Sequence, residues 1–101
     1  MVSLRHPNII QFMGAVVENE SLAMVIELME TNLFDYMQVV KQKLKESGSP
    51  TVGNAFKAFP FNMRKSIMWD TARGMEYLHG ASPPLVHLDM KSPNLLLDSS
   101  C

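Results

Sequence analysis

Two apolar stretches near the start of the chain are separated by a short polar segment. The first, from Ile9 to Val17, follows the turn signal His6-Pro7-Asn8 and predicts a β-strand. The second, from Leu22 to Leu28, is a nearly continuous apolar run, which is typical of a strand buried on both faces. Because the residues between them are polar and turn-like, the two strands are expected to form an antiparallel hairpin.

A helical period replaces the strand pattern after Asn32. This residue is predicted to cap the helix, and Asp35 at the third helical position suits the positive end of the helix dipole. The apolar positions that follow fall on one helix face: Leu33, Met37, Val40 and Leu44. The helix is expected to end at Ser47-Gly48-Ser49-Pro50.

The segment after this helix has no period. Residues 47–60 contain two glycines and two prolines and predict a loop or an insertion. A second helix is predicted from Met63 to His79, with Asn62 as its cap and Gly80 as its terminator.

A polar loop between two short apolar runs carries the candidate chemistry. It places Asp89, Lys91 and Asn94 within six positions. Phosphoryl transfer needs a carboxylate to accept the proton of the attacking hydroxyl, a cation near the moving phosphoryl group, and oxygen ligands for Mg²⁺. These three residues could fill the three roles in that order. Taken alone the pattern is weak, since an aspartate in a loop is more often a turn or cap residue.

Composition excludes several other classes of function. Charged residues make up 19% of the 101 residues and the net charge is −1, which gives no support for nucleic-acid binding. The single cysteine, Cys101, allows no disulfide within the chain, so a reducing, cytoplasmic setting is expected. No stretch is long and apolar enough to span a membrane. The short basic run Lys41, Lys43 and Lys45 is interpreted as a solvated helix face.

The surroundings of the polar loop resemble the catalytic loop of eukaryotic protein kinases. The pattern His87-x-Asp89-x-Lys91-x-x-Asn94-Leu-Leu-Leu-Asp follows a helix that ends in Glu-Tyr-Leu-His. Segment 4–10 is similar to the turn before the fourth strand of the small lobe. Segments 12–14 and 72–79 are most similar to the tyrosine-kinase-like group, which comprises Raf-type, mixed-lineage and plant Raf-like kinases, and segments 84–87 and 91–94 add to this resemblance. Members of this group mostly phosphorylate serine and threonine.

The resemblance implies an α+β fold that is part of a protein kinase domain. Residues 1–28 correspond to strands at the end of the small lobe, 29–32 to the hinge, and 33–101 to the start of the large lobe. Residues 47–61 match nothing in the family pattern and are expected to be an insertion.

The family's functional residues transfer position by position. Asp89 is similar to the catalytic base, Lys91 to the residue that contacts the γ-phosphate, and Asn94 to a Mg²⁺ ligand. The resemblance also implies an adenine site formed by a gatekeeper, two hinge residues and an apolar floor: Ile26, Glu27 with Met29, and Leu96. ATP and Mg²⁺ are therefore the expected cofactors and a protein the expected substrate, while dimerisation or an attached regulatory domain stays open.

Departures from the family pattern leave alternatives open. Leu88 stands where kinases usually have an arginine that pairs with a phosphate on the activation loop. No glycine-rich loop, strand-three lysine or Asp-Phe-Gly occurs within the 101 residues, so the isolated chain is expected to be inactive. The intact loop favours an active kinase in full-length form; a pseudokinase that serves as a scaffold, or a natural short product, are the alternatives.

Overall fold

The computed structural model describes residues 5–48 and 51–100. Helices and short strands follow one another in the predicted α+β manner, which confirms the fold class. In chain order the elements are β1 (Phe12–Glu18), β2 (Ser21–Ile26), β3 (Thr31–Asn32), α1 (Leu33–Glu46), α2 (Val52–Ala58), α3 (Phe61–His79), a 3₁₀ turn (Ser92–Asn94) and β4 (Leu96–Leu97).

The predicted hairpin is confirmed. Strands β1 and β2 are antiparallel, with Glu18 opposite Ser21 at the turn and Phe12 opposite Ile26 at the far end. Asn19 and Glu20 connect them with φ angles of 45° and 69°, both in the left-handed region that a two-residue hairpin turn requires.

The first strand begins three residues later than predicted. The turn at Pro7 and Asn8 extends to Ile9, whose N–H donates to the His6 carbonyl at 3.1 Å. The N–H of Gln11 is held by the Glu27 side chain at 2.8 Å, so regular strand pairing begins only at Phe12. The apolar pattern predicted the strand. It could not show that the backbone N–H groups of its first residues would form hydrogen bonds within the turn and with a side chain instead of with the neighbouring strand.

The predicted burial of the second strand is wrong for the described residues. Strand β2 ends at Ile26 rather than Leu28, and every residue in it is exposed. Leu28 itself is 97% exposed. Among the described residues only β1 pairs with β2, so neither face of this hairpin is covered.

Helix α1 begins as predicted. The Asn32 side chain accepts a hydrogen bond from the Asp35 N–H at 2.9 Å, and its amide nitrogen donates to the Asp35 carboxylate at 3.0 Å. This reciprocal pair satisfies a donor that the helix itself leaves open. The helix ends at Glu46, with Ser47 as its C-cap.

The segment predicted to be a loop or an insertion contains a helix, so the loop alternative is wrong. Helix α2 is preceded by Thr51, whose hydroxyl accepts from the Asn54 N–H at 3.1 Å. Threonine is one of the residues preferred at a helix N-cap, but the surrounding glycines and prolines obscured this signal. Residues 49 and 50, part of the predicted terminator of α1, lie outside the described residues.

Helix α3 starts earlier than predicted and without the predicted cap. It begins at Phe61, and the preceding Pro60 occupies the cap position with no side-chain hydrogen bond. The Pro60 carbonyl instead accepts the N–H of Arg64 at 3.0 Å. At the other end Gly80 terminates the helix as predicted, and its N–H donates to the Glu76 carbonyl at 2.9 Å.

Few side chains in residues 5–48 and 51–100 are buried, and the buried ones lie on α3 and β4. Ile67 and Leu97 are 7% and 6% exposed, and they are the buried apolar side chains of the described residues. Gly74, two turns further along the same face of α3, is buried as well. No helix in the described part of the chain has the length and apolar character needed to cross a membrane.

Candidate active site

The predicted catalytic loop folds into a compact polar cluster. The Asn94 side-chain nitrogen donates to the Asp89 backbone oxygen at 2.9 Å and to its carboxylate at 3.0 Å. The Lys91 ammonium lies 3.3 Å from the other carboxylate oxygen of Asp89. The 3₁₀ turn Ser92–Asn94 allows this closure, because Asn94 N–H donates to the Lys91 carbonyl and folds the chain back toward Asp89. The structure therefore brings together the three residues predicted to carry the chemistry.

His87 fixes the backbone of the loop at its first residue. Its Nδ1 accepts a hydrogen bond from the Asp89 N–H at 3.0 Å. This acceptor role requires an imidazole that carries no proton on Nδ1. The histidine thereby orients the backbone of Asp89.

Two short strands tie the loop to the segment predicted to be the hinge. Strands β3 and β4 are antiparallel, with Thr31 opposite Leu97 and Asn32 opposite Leu96. The pairing is extended on both sides, since Glu30 N–H donates to the Leu97 carbonyl at 2.9 Å and Leu33 N–H to the Leu95 carbonyl at 2.8 Å. Leu96 follows Asn94 by two positions, so this ladder fixes the polar cluster against the hinge.

The hinge leaves two backbone groups open. Glu27 N–H donates to the Gln11 carbonyl at 3.0 Å, which anchors the hinge to the strand before it. Within the described residues no backbone hydrogen bond engages the Glu27 carbonyl or the Met29 N–H. An acceptor and a donor two residues apart are the groups with which a hinge could bind an adenine edge.

A cavity of about 280 Å³ lies between the hinge, α3 and the polar loop. Of the predicted adenine-site residues, Glu27, Met29 and Leu96 line it, and Asn94 lines it from the loop side. Ile26 does not line it and is 45% exposed. Asp89 is exposed and does not line the cavity itself, but it is hydrogen-bonded to two residues that do, His87 and Asn94.

The turn at Pro7 and Asn8 packs on α3 beside this cavity. A Cβ on Gly74 would lie 2.9 Å from the Asn8 carbonyl oxygen, so only glycine permits this approach. The His6 and Tyr77 rings lie 4.9 Å apart, and the Tyr77 hydroxyl accepts the Arg5 N–H at 3.3 Å. Sequence reasoning did not assign this contact; the signal was a glycine within a strong helical pattern.

One carboxyl group near the site has a shifted pKa. Hydrogen bonds from the Ser100 side chain and backbone hold the pKa of Asp98 below its usual value of 3.8. Asp98 directly follows β4 and remains charged at neutral pH. The described residues contain no group of three His, Cys, Asp or Glu side chains that could hold a metal ion by themselves.

Comparisons with known proteins agree with this arrangement. The sequence profile of the protein kinase domain matches residues 1–101. The chain belongs to the protein kinase family. It is 41% identical to the serine/threonine-protein kinase CTR1 of Arabidopsis thaliana over 98 residues, covering 97% of this chain and 10% of the relative. No solved structure gives a significant match.

Other relatives of this kinase-domain chain carry similar names. A probable serine/threonine-protein kinase, SIS8 of Arabidopsis thaliana, is 38% identical over 99% of the chain and 8% of its own length. The probable serine/threonine-protein kinase drkB of Dictyostelium discoideum is 35% identical over 99% of the chain and 12% of its own length. The predicted family and its Raf-like resemblance are thus confirmed. The chain spans about a tenth of the length of these relatives.

Proposed function

We propose that the full-length protein is a serine/threonine kinase that transfers the γ-phosphate of ATP to a hydroxyl of a protein substrate. The observation that carries the proposal is the cluster of Asp89, Lys91 and Asn94, held against the hinge by the β3–β4 ladder. Membership of the kinase family and the names of the relatives support the same assignment. The use of ATP and the lack of any disulfide pair in the 101 residues fit a cytoplasmic location, which we propose.

The roles follow from chemistry and position. Asp89 orients the attacking hydroxyl and accepts its proton, since its exposed carboxylate lies next to the cavity and His87 fixes its backbone. Lys91 places a cation beside the same carboxylate, where it can offset the charge of the phosphoryl group in transfer. Mg-ATP, when bound, supplies the electrophilic phosphoryl group.

Asn94 fits the role of a Mg²⁺ ligand. Its side-chain nitrogen is occupied by the two hydrogen bonds to Asp89, which fixes the amide orientation. Its side-chain oxygen therefore faces away from Asp89 with no hydrogen-bond donor among the described residues. Oxygen is the donor atom that Mg²⁺ prefers, usually one or two protein ligands together with phosphate oxygens.

The adenine site is proposed at the hinge. The open Glu27 carbonyl and Met29 N–H provide one acceptor and one donor, and Leu96 provides apolar contact from β4. Ile26 is proposed as the gatekeeper because it ends β2 next to Glu27. In this assignment residues 1–28 belong to the small lobe, 29–32 to the hinge and 33–101 to the large lobe, with 47–61 as an insertion.

The test uses the full-length protein and the Asp89→Asn variant. We expect the variant to lose at least about a hundredfold in kcat, because general-base catalysis typically contributes 10²–10⁴-fold. Its affinity for Mg-ATP should be nearly unchanged, since the base acts on the hydroxyl and not on the nucleotide. A matched control is Glu76→Gln, which lies on the exposed surface of α3 and does not line the cavity.

Two outcomes would contradict the proposal. Equal activity of the Asp89→Asn variant and the parent would remove the assigned role of Asp89. A parent protein with no transferase activity toward any protein substrate, but with a folded kinase domain, would favour a pseudokinase that acts as a scaffold.

A further inference from the structure

The hairpin meets the hinge at a pair of residues that the backbone joins by only one hydrogen bond. Phe12 lies opposite Ile26 at the end of the regular pairing, and the next pair along the ladder is Gln11 with Glu27. Glu27 N–H donates to the Gln11 carbonyl at 3.0 Å. The return bond from Gln11 N–H goes to the Glu27 carboxylate at 2.8 Å. The Glu27 side chain therefore takes the place of its own backbone oxygen.

Regular pairing would use the Glu27 carbonyl instead. In an antiparallel sheet, the two residues of a hydrogen-bonded pair exchange two N–H···O bonds between their backbones. Since Glu27 N–H already makes one bond to Gln11, the Glu27 carbonyl is the regular acceptor for the other. With both bonds made, the ladder would extend one residue beyond Ile26, and the Glu27 carbonyl would be part of it.

The carboxylate competes well for the Gln11 N–H. A hydrogen bond from a backbone N–H to a carboxylate is stronger than one to a neutral carbonyl, and the observed N···O distance of 2.8 Å is short. The bond to the side chain therefore ends the ladder early. It leaves the Glu27 carbonyl with no hydrogen-bond donor in the part of the chain that the structure describes.

The open carbonyl belongs to a residue that lines the cavity. Glu27 and Met29 both line it, whereas Leu28 between them does not and is 97% exposed. A carbonyl oxygen at this place can accept a hydrogen bond from a ligand only while no backbone donor uses it. The side chain of Glu27 thus decides whether the proposed hinge acceptor is available.

We propose that the Glu27 side chain is a positioning residue for the adenine ring. By holding the Gln11 N–H, it keeps the Glu27 carbonyl free to accept a hydrogen bond from the exocyclic amine of adenine. The side chain acts through the backbone and does not contact the nucleotide. This inference rests on the proposed adenine site at the hinge, and it adds the requirement that position 27 carry a side-chain hydrogen-bond acceptor.

The experiment compares the binding of two nucleotides to the full-length protein by isothermal titration calorimetry in the presence of Mg²⁺. One is ATP, and the other is purine riboside triphosphate, in which a hydrogen atom replaces the exocyclic amine. We expect the parent to bind ATP about three- to tenfold more tightly than the analogue, the range that one neutral hydrogen bond provides.

Glu27→Leu removes the side-chain acceptor and keeps a similar size. Gln11 N–H should then pair with the carbonyl of residue 27, so ATP should bind about three- to tenfold more weakly than to the parent. Affinity for the analogue should change less than about twofold, because the analogue makes no bond to this carbonyl. Glu27→Ala removes the same acceptor with a smaller side chain and should give the same result.

Two further variants separate the acceptor from other effects of the substitution. Glu27→Gln loses the charge but keeps a side-chain oxygen, and it should retain the parent's preference for ATP over the analogue. Glu18→Leu is the matched control, because it removes an exposed carboxylate at the other end of the same hairpin. It should leave both affinities as they are in the parent. Circular dichroism verifies that each variant is folded.

Three outcomes would overturn the inference. The first is an undiminished preference for ATP in Glu27→Leu and Glu27→Ala. The second is an equal loss for both nucleotides, which would indicate a purely structural role. The third is a Glu27→Gln variant that loses the preference as Glu27→Leu does, since the charge and not the acceptor would then be responsible.

These outcomes differ from a failure of the proposed function. Each of the three leaves phosphoryl transfer by the parent intact. A parent that binds both nucleotides with the expected preference but transfers no phosphate would contradict the kinase activity and support the role of the Glu27 side chain. A folded parent that binds neither nucleotide would contradict both proposals.

Discussion

Asn94 and Asp89 are joined by two hydrogen bonds from one side-chain nitrogen, at 2.9 Å to the backbone oxygen and 3.0 Å to the carboxylate. This pair couples a proposed metal ligand to a proposed base. A change at one residue must therefore disturb the other, and the two roles cannot be separated by a simple truncation.

The first prediction concerns this pair. In the full-length protein, Asn94→Ala should lower kcat by about a hundredfold, because hydrogen bonds to a charged group contribute about 1.5–3 kcal/mol and a tenfold rate change is about 1.4 kcal/mol. The dependence of rate on Mg²⁺ concentration should shift to higher values. Steady-state assays over a Mg²⁺ series measure both.

The control for this prediction is Asn62→Ala. Asn62 is exposed near the start of α3, where no side chain caps the helix. The assigned role of Asn94 would be wrong if its variant kept the parent's rate and Mg²⁺ dependence while remaining folded.

A second prediction concerns the close approach of α3 to the turn at Asn8. Gly74→Ala should destabilise the kinase domain by about 1–2 kcal/mol, since overpacking against a backbone oxygen at 2.9 Å outweighs the gain in helix propensity. Thermal unfolding of the domain measures the change.

The matched control for the glycine is Gly53→Ala in α2. A Cβ at this position would meet nothing closer than the Thr51 hydroxyl at 3.9 Å. Here the propensity gain stands alone, and stability should be unchanged or higher by up to about 1 kcal/mol. A Gly74→Ala protein as stable as the parent would show that the turn can move away from α3 without cost.

The third prediction is a pKa. Ser100→Ala should raise the pKa of Asp98 toward its usual value of 3.8, because the side-chain hydrogen bond that favours the charged form is lost. Because the pKa of Asp98 is lower in the folded than in the unfolded state, the interaction stabilises the fold fully at pH values above the unfolded-state pKa. This contribution is lost as the pH falls through the lower, folded-state pKa.

Carboxyl-detected NMR titration of the parent and variant measures this pKa. Ser99→Ala is the neighbouring control and should leave the Asp98 titration unchanged. An unchanged titration in Ser100→Ala would mean that the hydrogen bonds of 2.6 and 3.0 Å to Asp98 are not kept in solution.

The parts predicted from the sequence are those whose residues lie close together in the chain. The polar cluster spans Asp89 to Asn94, and its chemistry was readable because six consecutive positions hold every member. The start of α1 could be predicted for the same reason, because the capping residue Asn32 and its partner Asp35 are three positions apart in the chain.

The parts that were missed depend on distant partners or on competing local signals. Strands β3 and β4 have two residues each and are separated by more than sixty positions, so they show no period and no turn signal. Helix α2 was obscured by Gly53 and by the prolines on either side of it. The exposure of β2 could not be predicted, because an apolar run indicates a preference for burial and not which element covers it.

The fourth prediction concerns Leu88, which is 91% exposed next to the proposed base. At this exposure an arginine would need no buried partner, so Leu88→Arg should change the stability of the domain by less than about 0.5 kcal/mol. Leucine, however, cannot form the pair with a phosphate on the activation loop that the family's usual arginine makes. We therefore expect the parent kinase to keep its activity when phosphatase removes its phosphates.

The assay compares the full-length parent and the Leu88→Arg variant before and after phosphatase treatment. The parent should change less than twofold. The variant should become sensitive to treatment, because a guanidinium beside Asp89 gives an activation-loop phosphate a charged partner that can order the loop. A parent whose activity falls more than about tenfold, a barrier change of roughly 1.4 kcal/mol, would show that phosphate control operates through other residues. In that case the position of Leu88 would not decide how this kinase is switched on.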